Sequence, residues 1–118
     1  MLSLPPSVRI WLAVQPADLR KSFDGLAALV EHGLGGDPLS GHIFVFRNKA
    51  ADRIKLLVWD DDGYVIYYKR LEAGTFRFPT SADQASVVIR ATDLLMLLDG
   101  VDLGSVRRRP RYRRPQPA

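Results

Sequence analysis

Asp60, Asp61 and Asp62 form the one dense acidic cluster of the chain. With Asp24 or Asp52 nearby, such carboxylates have the ligand chemistry to hold Mg²⁺ for phosphodiester cleavage. A magnesium site, however, needs carboxylates converging from separate elements. Three neighbours followed by Gly63 have the composition of a hairpin tip, and the turn is the reading adopted. His32 and His42 are the only histidines, and no cysteine is present. Neither histidine has a ligand-spaced partner, and thiolate sites and disulfides are excluded outright. His32 falls near the end of a predicted helix, where a basic side chain suits the dipole. Gly33, Gly35 and Gly36 lack the following context of a phosphate cradle, and no nucleophile elbow or Walker loop occurs. The sequence therefore predicts no catalytic residue, no metal, no cofactor and no small-molecule substrate.

The basic residues carry more information. Arg47, Lys49, Arg53, Lys55, Lys69 and Arg70 cluster in sequence around Trp59, Tyr64, Tyr67 and Tyr68. Cations that contact phosphates beside aromatics that stack would make a nucleic-acid surface. The same residues also fit an apolar core with a solvated rim. Arg20 and Lys21 join them as candidates upstream. A second basic group, Arg107, Arg108, Arg109, Arg111, Arg113 and Arg114, has no acid among or after it. Of the net charge of +4, these six arginines account for more than the whole, leaving −2 on the first 106 residues. That asymmetry points the tail toward a polyanion, with nucleic acid the favoured one, through phosphate contacts of low sequence specificity.

These side chains need elements to position them. Arg9 to Val14 is rich in strand formers and stops before Pro16. Phe23, Leu26, Ala27 and Val30 then fall on one helical stripe, with Asp18 as the expected N-cap and Gly33 as terminator. The span from Gly35 to Gly41 reads as a loop. Three strands follow, at His42 to Arg47, Arg53 to Trp59 and Tyr64 to Arg70. The last two are joined by a hairpin in which Gly63 is expected to supply the positive φ. A three-residue loop bulged at Gly63 is one of two plausible choices. It sets Trp59 opposite Val65, Leu57 opposite Tyr67, and Lys55 opposite Lys69, a like-charge pair suited to an anion lying over it. Ser86 to Arg90 fits a short strand, and Thr92 an N-cap for a helix through Leu98 closed by Gly100.

The prediction is an α+β fold: a small, twisted, mostly antiparallel sheet with one long and one short helix. Residues 1–104 form a single globular domain and residues 105–118 an Arg/Pro-rich tail expected to be disordered. With 118 residues, 47% hydrophobic and 25% charged, the chain is long enough to bury a core unaided. Met1 to Pro6 shows no secretory pattern, and the longest apolar runs, such as Leu94 to Leu98, are too short to span a bilayer. A cytoplasmic location without membrane association is expected.

The longer motifs are distinctive. Gly41-His42-Ile43-Phe44-Val45-Phe46-Arg47-Asn48-Lys49 leads into Asp52-Arg53-Ile54-Lys55-Leu56-Leu57-Val58-Trp59-Asp60. Gly63-Tyr64-Val65-Ile66-Tyr67-Tyr68-Lys69-Arg70-Leu71-Glu72 follows, then Gly74, Phe76 and Pro79. Asp18 to Leu26 upstream and Leu97 to Leu103 downstream fit the same pattern. From about Val8 to Arg114 the chain resembles the TnpB-type accessory proteins encoded by the second open reading frame of insertion-sequence-66 bacterial transposons. It departs from that pattern at Phe78, where tryptophan is expected, and at Thr75, where a basic residue is common.

The resemblance implies a non-catalytic role in transposition beside a separate transposase, and brings no metal or cofactor with it. Three readings follow. The chain is a DNA-binding or transposase-assisting module, an adaptor that binds the transposase without specific DNA contact, or a metal nuclease built on Asp60 to Asp62. Full burial of Phe44, Phe46 and Trp59 beside an exposed basic face favours the first. Their exposure in one apolar patch favours the second.

Overall fold

Near-continuous apolar runs such as Ile10 to Ala13 and Ile43 to Phe46 place apolar side chains on both faces of a sheet, so both faces must be covered, and the chain folds accordingly. The structure, a computed structural model, describes residues 5–79 and 83–100. Its strands are β1 (Ile10–Ala13), β2 (Ile43–Arg47), β3 (Arg53–Asp60), β4 (Gly63–Arg70) and β5 (Ser86–Ile89). They form one sheet in the order β4-β3-β2-β1-β5. Only β1 with β2 is parallel, because the chain between them crosses over through a helix. The pairs β1–β5, β2–β3 and β3–β4 are antiparallel.

The period-2 alternation divides the core between two faces. On one, Ile10, Leu12, Ile43, Val45, Ile54 and Leu56 pack with Phe76 under Leu94, Leu97 and Leu98 of α2 (Ala91–Leu98). On the other, Ala13, Phe44, Phe46 and Leu57 pack with Leu19 under Leu26 and Val30. Leu26 belongs to α1 (Phe23–Ala28), which continues into a π-helical turn over Leu29–Gly33 that carries Val30. Full burial of each such aliphatic side chain contributes roughly 1.5–3 kcal/mol.

The predicted strands agree with the structure to within a residue or so at each end, but several local assignments change. The long helix is six α-helical residues extended by one wide turn. Asp18 does not cap it. The Asp18 carboxylate instead accepts the N–H of Arg20, and Ser22 occupies the N-cap. The helix is closed by Gly35 at φ +68° rather than by Gly33, with the Gly36 N–H donating to the Val30 carbonyl at 2.9 Å. At the second helix, Arg90 rather than Thr92 takes the N-cap, and its N–H donates to the Asp93 carboxylate at 2.9 Å. Gly100, at φ +88°, follows that helix as expected.

The hairpin register also changes. Asp60 pairs with Gly63, so the loop is the two residues Asp61 and Asp62, and the positive φ of +52° belongs to Asp61. Trp59 then opposes Tyr64, Leu57 opposes Ile66, and Lys55 opposes Tyr68. A slip of one residue turns every side chain to the other face. Lys55 and Lys69 therefore lie on opposite sides of the sheet, and the like-charge pair is Arg53 with Arg70. The tail at 105–118 lies outside the described residues.

Candidate nucleic-acid interface

Two turns at the same end of the sheet bring together residues that are distant in sequence. The segment after β1 is held against β2 where the Ala17 N–H donates to the Arg47 carbonyl at 2.8 Å. Asp18 then forms a tight local turn, accepting the Arg20 N–H at 3.0 Å and the Arg20 guanidinium at 2.9–3.2 Å. The hydrogen bonds from the Arg20 side chain and backbone hold the Asp18 carboxyl down at about 2, and its partner's guanidinium is raised in return.

The β2–β3 turn is organised by Asn48. Its side-chain carbonyl accepts the Arg53 N–H at 3.0 Å, and its amide donates to the Asp52 carboxylate at 2.6 Å. Ala51 adopts φ +58° inside this turn. Lys49 is left exposed at its tip. The Arg53 guanidinium reaches across to β4 and donates to the Tyr68 hydroxyl at 3.3 Å.

Between the two turns lies an open cleft of about 700 Å³, lined by Arg20, Lys49, Arg53, Asn48 and Tyr68 together with Asp18 and Asp52. Arg70 stands opposite Arg53 in the ladder and pairs with Glu72 at 2.9 Å. Directly opposed like charges are unfavourable in an antiparallel pair. An anion bridging Arg53 and Arg70 would relieve that repulsion.

Three predicted site residues, Arg20, Lys49 and Arg53, thus line one cleft, with Arg70 beside it. Lys21 is exposed and presents its backbone carbonyl to Lys55. Lys55 itself is only 8% exposed, donates to that carbonyl at 2.9 Å and lies 4.7 Å from the centre of the Tyr68 ring. Its charge is engaged inside the fold. Lys69 is on the opposite face, where its ammonium donates to the Leu98 carbonyl at the end of α2, 2.9 Å away. Arg47 shares that face, donating to the Val14 carbonyl at 3.1 Å and lying over the Phe78 ring at 5.4 Å. Arg107, Arg108, Arg109, Arg111, Arg113 and Arg114 lie outside the described residues.

Asn48 is the cleft residue that motif reading missed. Its spacing to Asp52 and Arg53 across a short turn was the available signal. Phe44 and Phe46 are core residues at 2% and 1% exposure. Trp59 is half-buried against Tyr64, ring centres 5.1 Å apart in a T-shaped contact. Asp60 to Asp62 sit at the hairpin tip, and among the described residues no group of three or more His, Asp or Glu could hold a metal ion. His42 accepts the Arg9 N–H through Nδ1 at 3.0 Å, a structural contact between β1 and β2. No helix among the described residues is long and apolar enough to cross a membrane.

Both turns, the hairpin and both helices fall inside the segment that matches a known family, described as IS66 Orf2 like protein, over residues 8–108. The chain belongs to the IS66 Orf2-like family. Its relatives include a Sinorhizobium fredii protein, "Uncharacterized protein y4jC", 39% identical over 93% of each chain. "Uncharacterized protein y4hO" of the same organism is 36% identical over 86% of this chain and 88% of its own. No solved structure matches the chain significantly. Membership ties the chain to insertion-sequence elements and to transposition; it names a process and carries no reaction.

Proposed function

We propose that this IS66 Orf2-like protein is a non-catalytic accessory factor in transposition that binds DNA phosphates and so assists the transposase of its element in the cytoplasm. The observation that carries this reading is the convergence of Arg20, Lys49 and Arg53 on one open cleft, with Arg70 set against Arg53. Guanidinium groups suit phosphate oxygens because they offer paired donors in a fixed plane. Its exposed cations suit contacts to the phosphate backbone, which position the duplex rather than read it. The six tail arginines add electrostatic affinity of the same kind. Phe44 and Phe46 are buried beside exposed cations, which supports DNA contact over an adaptor surface at this site, while Trp59 is only half-buried and leaves that criterion partly met.

The test is fluorescence anisotropy on the full chain with the element's terminal inverted repeat and a scrambled duplex, across a salt series. Arg20→Ala with Arg53→Ala is expected to weaken both duplexes alike and to flatten the log–log salt slope by about two. Replacing Arg107 to Arg109 with alanine is expected to flatten it by about three. Unchanged slopes in both variants overturn the DNA reading. No binding at low salt turns the assignment to the transposase adaptor, for which a pull-down of the transposase is the measurement.

A further inference from the structure

The two edges of the sheet are unlike. β5, at one edge, is four residues long. β4, at the other, runs eight residues and among the described residues has β3 as its only strand neighbour. The two-residue loop fixes the phase of its hydrogen bonds. Asp60 and Gly63 close the hairpin, so Gly63, Val65, Tyr67 and Lys69 direct their backbone groups to β3. Tyr64, Ile66, Tyr68 and Arg70 direct theirs outward. Val65, Tyr67 and Tyr68 are 43%, 46% and 48% exposed along this strand. A long edge whose outward ladder groups meet no strand among the described residues, with exposed side chains beside them, is a template for another strand.

The charge along β4 selects the occupant. Asp61 and Asp62 precede the strand, and Lys69 and Arg70 end it. Rotation by a half-turn about the middle of the strand lays its acidic end on its own basic end. The surface is therefore complementary to itself, the condition for an isologous two-fold interface.

We propose that the protein forms a two-fold dimer by antiparallel pairing of β4 with β4 of a second copy, centred on Ile66. In this register Tyr64 opposes the partner's Tyr68, Val65 opposes the partner's Tyr67, and Asp62 meets the partner's Arg70. Outward-facing backbone groups pair with outward-facing backbone groups along the whole strand. Centring on Tyr67 instead sets Asp62 against the partner's Glu72. Centring on Val65 opposes Tyr67 to the partner's Gly63 and shortens the ladder. The pairing shares Tyr68 and Arg70 with the cleft region, but its test uses no DNA, so the two readings fail separately.

The chain contains no cysteine, so single thiols report the register directly. Full-length Val65→Cys and Tyr67→Cys chains are mixed, or kept separate, in a glutathione redox buffer. Opposed residues of a non-hydrogen-bonded pair have Cα atoms about 4.5 Å apart, within disulfide reach. Like-numbered residues in this register are about 8 Å apart, beyond it. The mixture is expected to yield the Val65→Cys to Tyr67→Cys crosslink at least tenfold over either chain alone. Sedimentation of the unmodified chain is expected to show a dimer. Asp62→Arg and Arg70→Asp should each weaken that dimer several-fold, and the two together should restore it. A monomer at the highest soluble concentration, or equal crosslinking in all three samples, overturns the proposal. Self-crosslinking of one variant in preference to the mixture also overturns it, because it places a different register at the edge.

Discussion

Individual side chains decide how the candidate interface is held. Asp18 is the clearest case, because its carboxyl lies at about 2 in the folded chain against 3.8 for the free group. A depressed folded value stabilises the native state above the unfolded pKa, and that contribution is lost as pH falls from about 4 to 2. Asp18→Asn should remove this segment of the acid-unfolding curve, as followed by circular dichroism. It should also strengthen DNA binding at neutral pH, since Arg20 loses its anionic partner. Lys55 matters to stability rather than to binding. Its ammonium is bound to a backbone carbonyl and covered by Tyr68, so Lys55→Met should cost about 1.5–3 kcal/mol in urea unfolding. The salt slope of DNA binding should not change. Ala51 and Asp61 both adopt positive φ, at +58° and +52°. Ala51→Gly should stabilise by about 1 kcal/mol, and Asp61→Gly by less, because aspartate tolerates that conformation better than alanine.

Among the elements, each helix covers one face of the sheet and shares no core cluster with the other. Leu26→Ala and Leu97→Ala should each cost about 2–5 kcal/mol, and the double variant should cost their sum to within about 0.5 kcal/mol. A denaturant series on the four chains checks this. Strand positions were legible because β2 and β3 carry near-continuous runs of β-branched, aromatic and aliphatic residues and because Gly, Pro and Asp mark the turns. The register of the hairpin was not. Asp-Asp-Asp-Gly admits both a two-residue and a three-residue loop, and the choice depends on which faces α1 and α2 cover. The helix cap at Asp18 failed for a related reason. Its carboxylate found a stronger local donor in Arg20 than the helix N-terminus offered. Among the candidate site residues, the exposure of a turn residue such as Lys49 was legible from sequence. That of Lys55 and Lys69 was not, because one position of slip decides whether a lysine meets solvent or a backbone carbonyl.

For the whole molecule, the proposed pairing through β4 keeps both copies' Arg20, Lys49 and Arg53 on the same side of a continuous sheet. On the proposed DNA reading, two such clefts related by a two-fold axis match the symmetry of paired sites on a duplex. DNA titrations should then reach saturation at two chains per duplex rather than one, a ratio readable by sedimentation of the complex. The sheet order has a further consequence, for how the chain is made. β2, β3 and β4 are a local meander, whereas β1 sits between β2 and the last strand, with Ala13 paired to Ser86. Local contacts form quickly, and pairings across long stretches of chain form slowly. During synthesis the meander and the crossover helix are complete while one ladder of β1 is still open and the face later covered by α2 is bare. Such an intermediate invites association with other nascent chains. Release from that hazard comes only when β5 and α2 leave the ribosome.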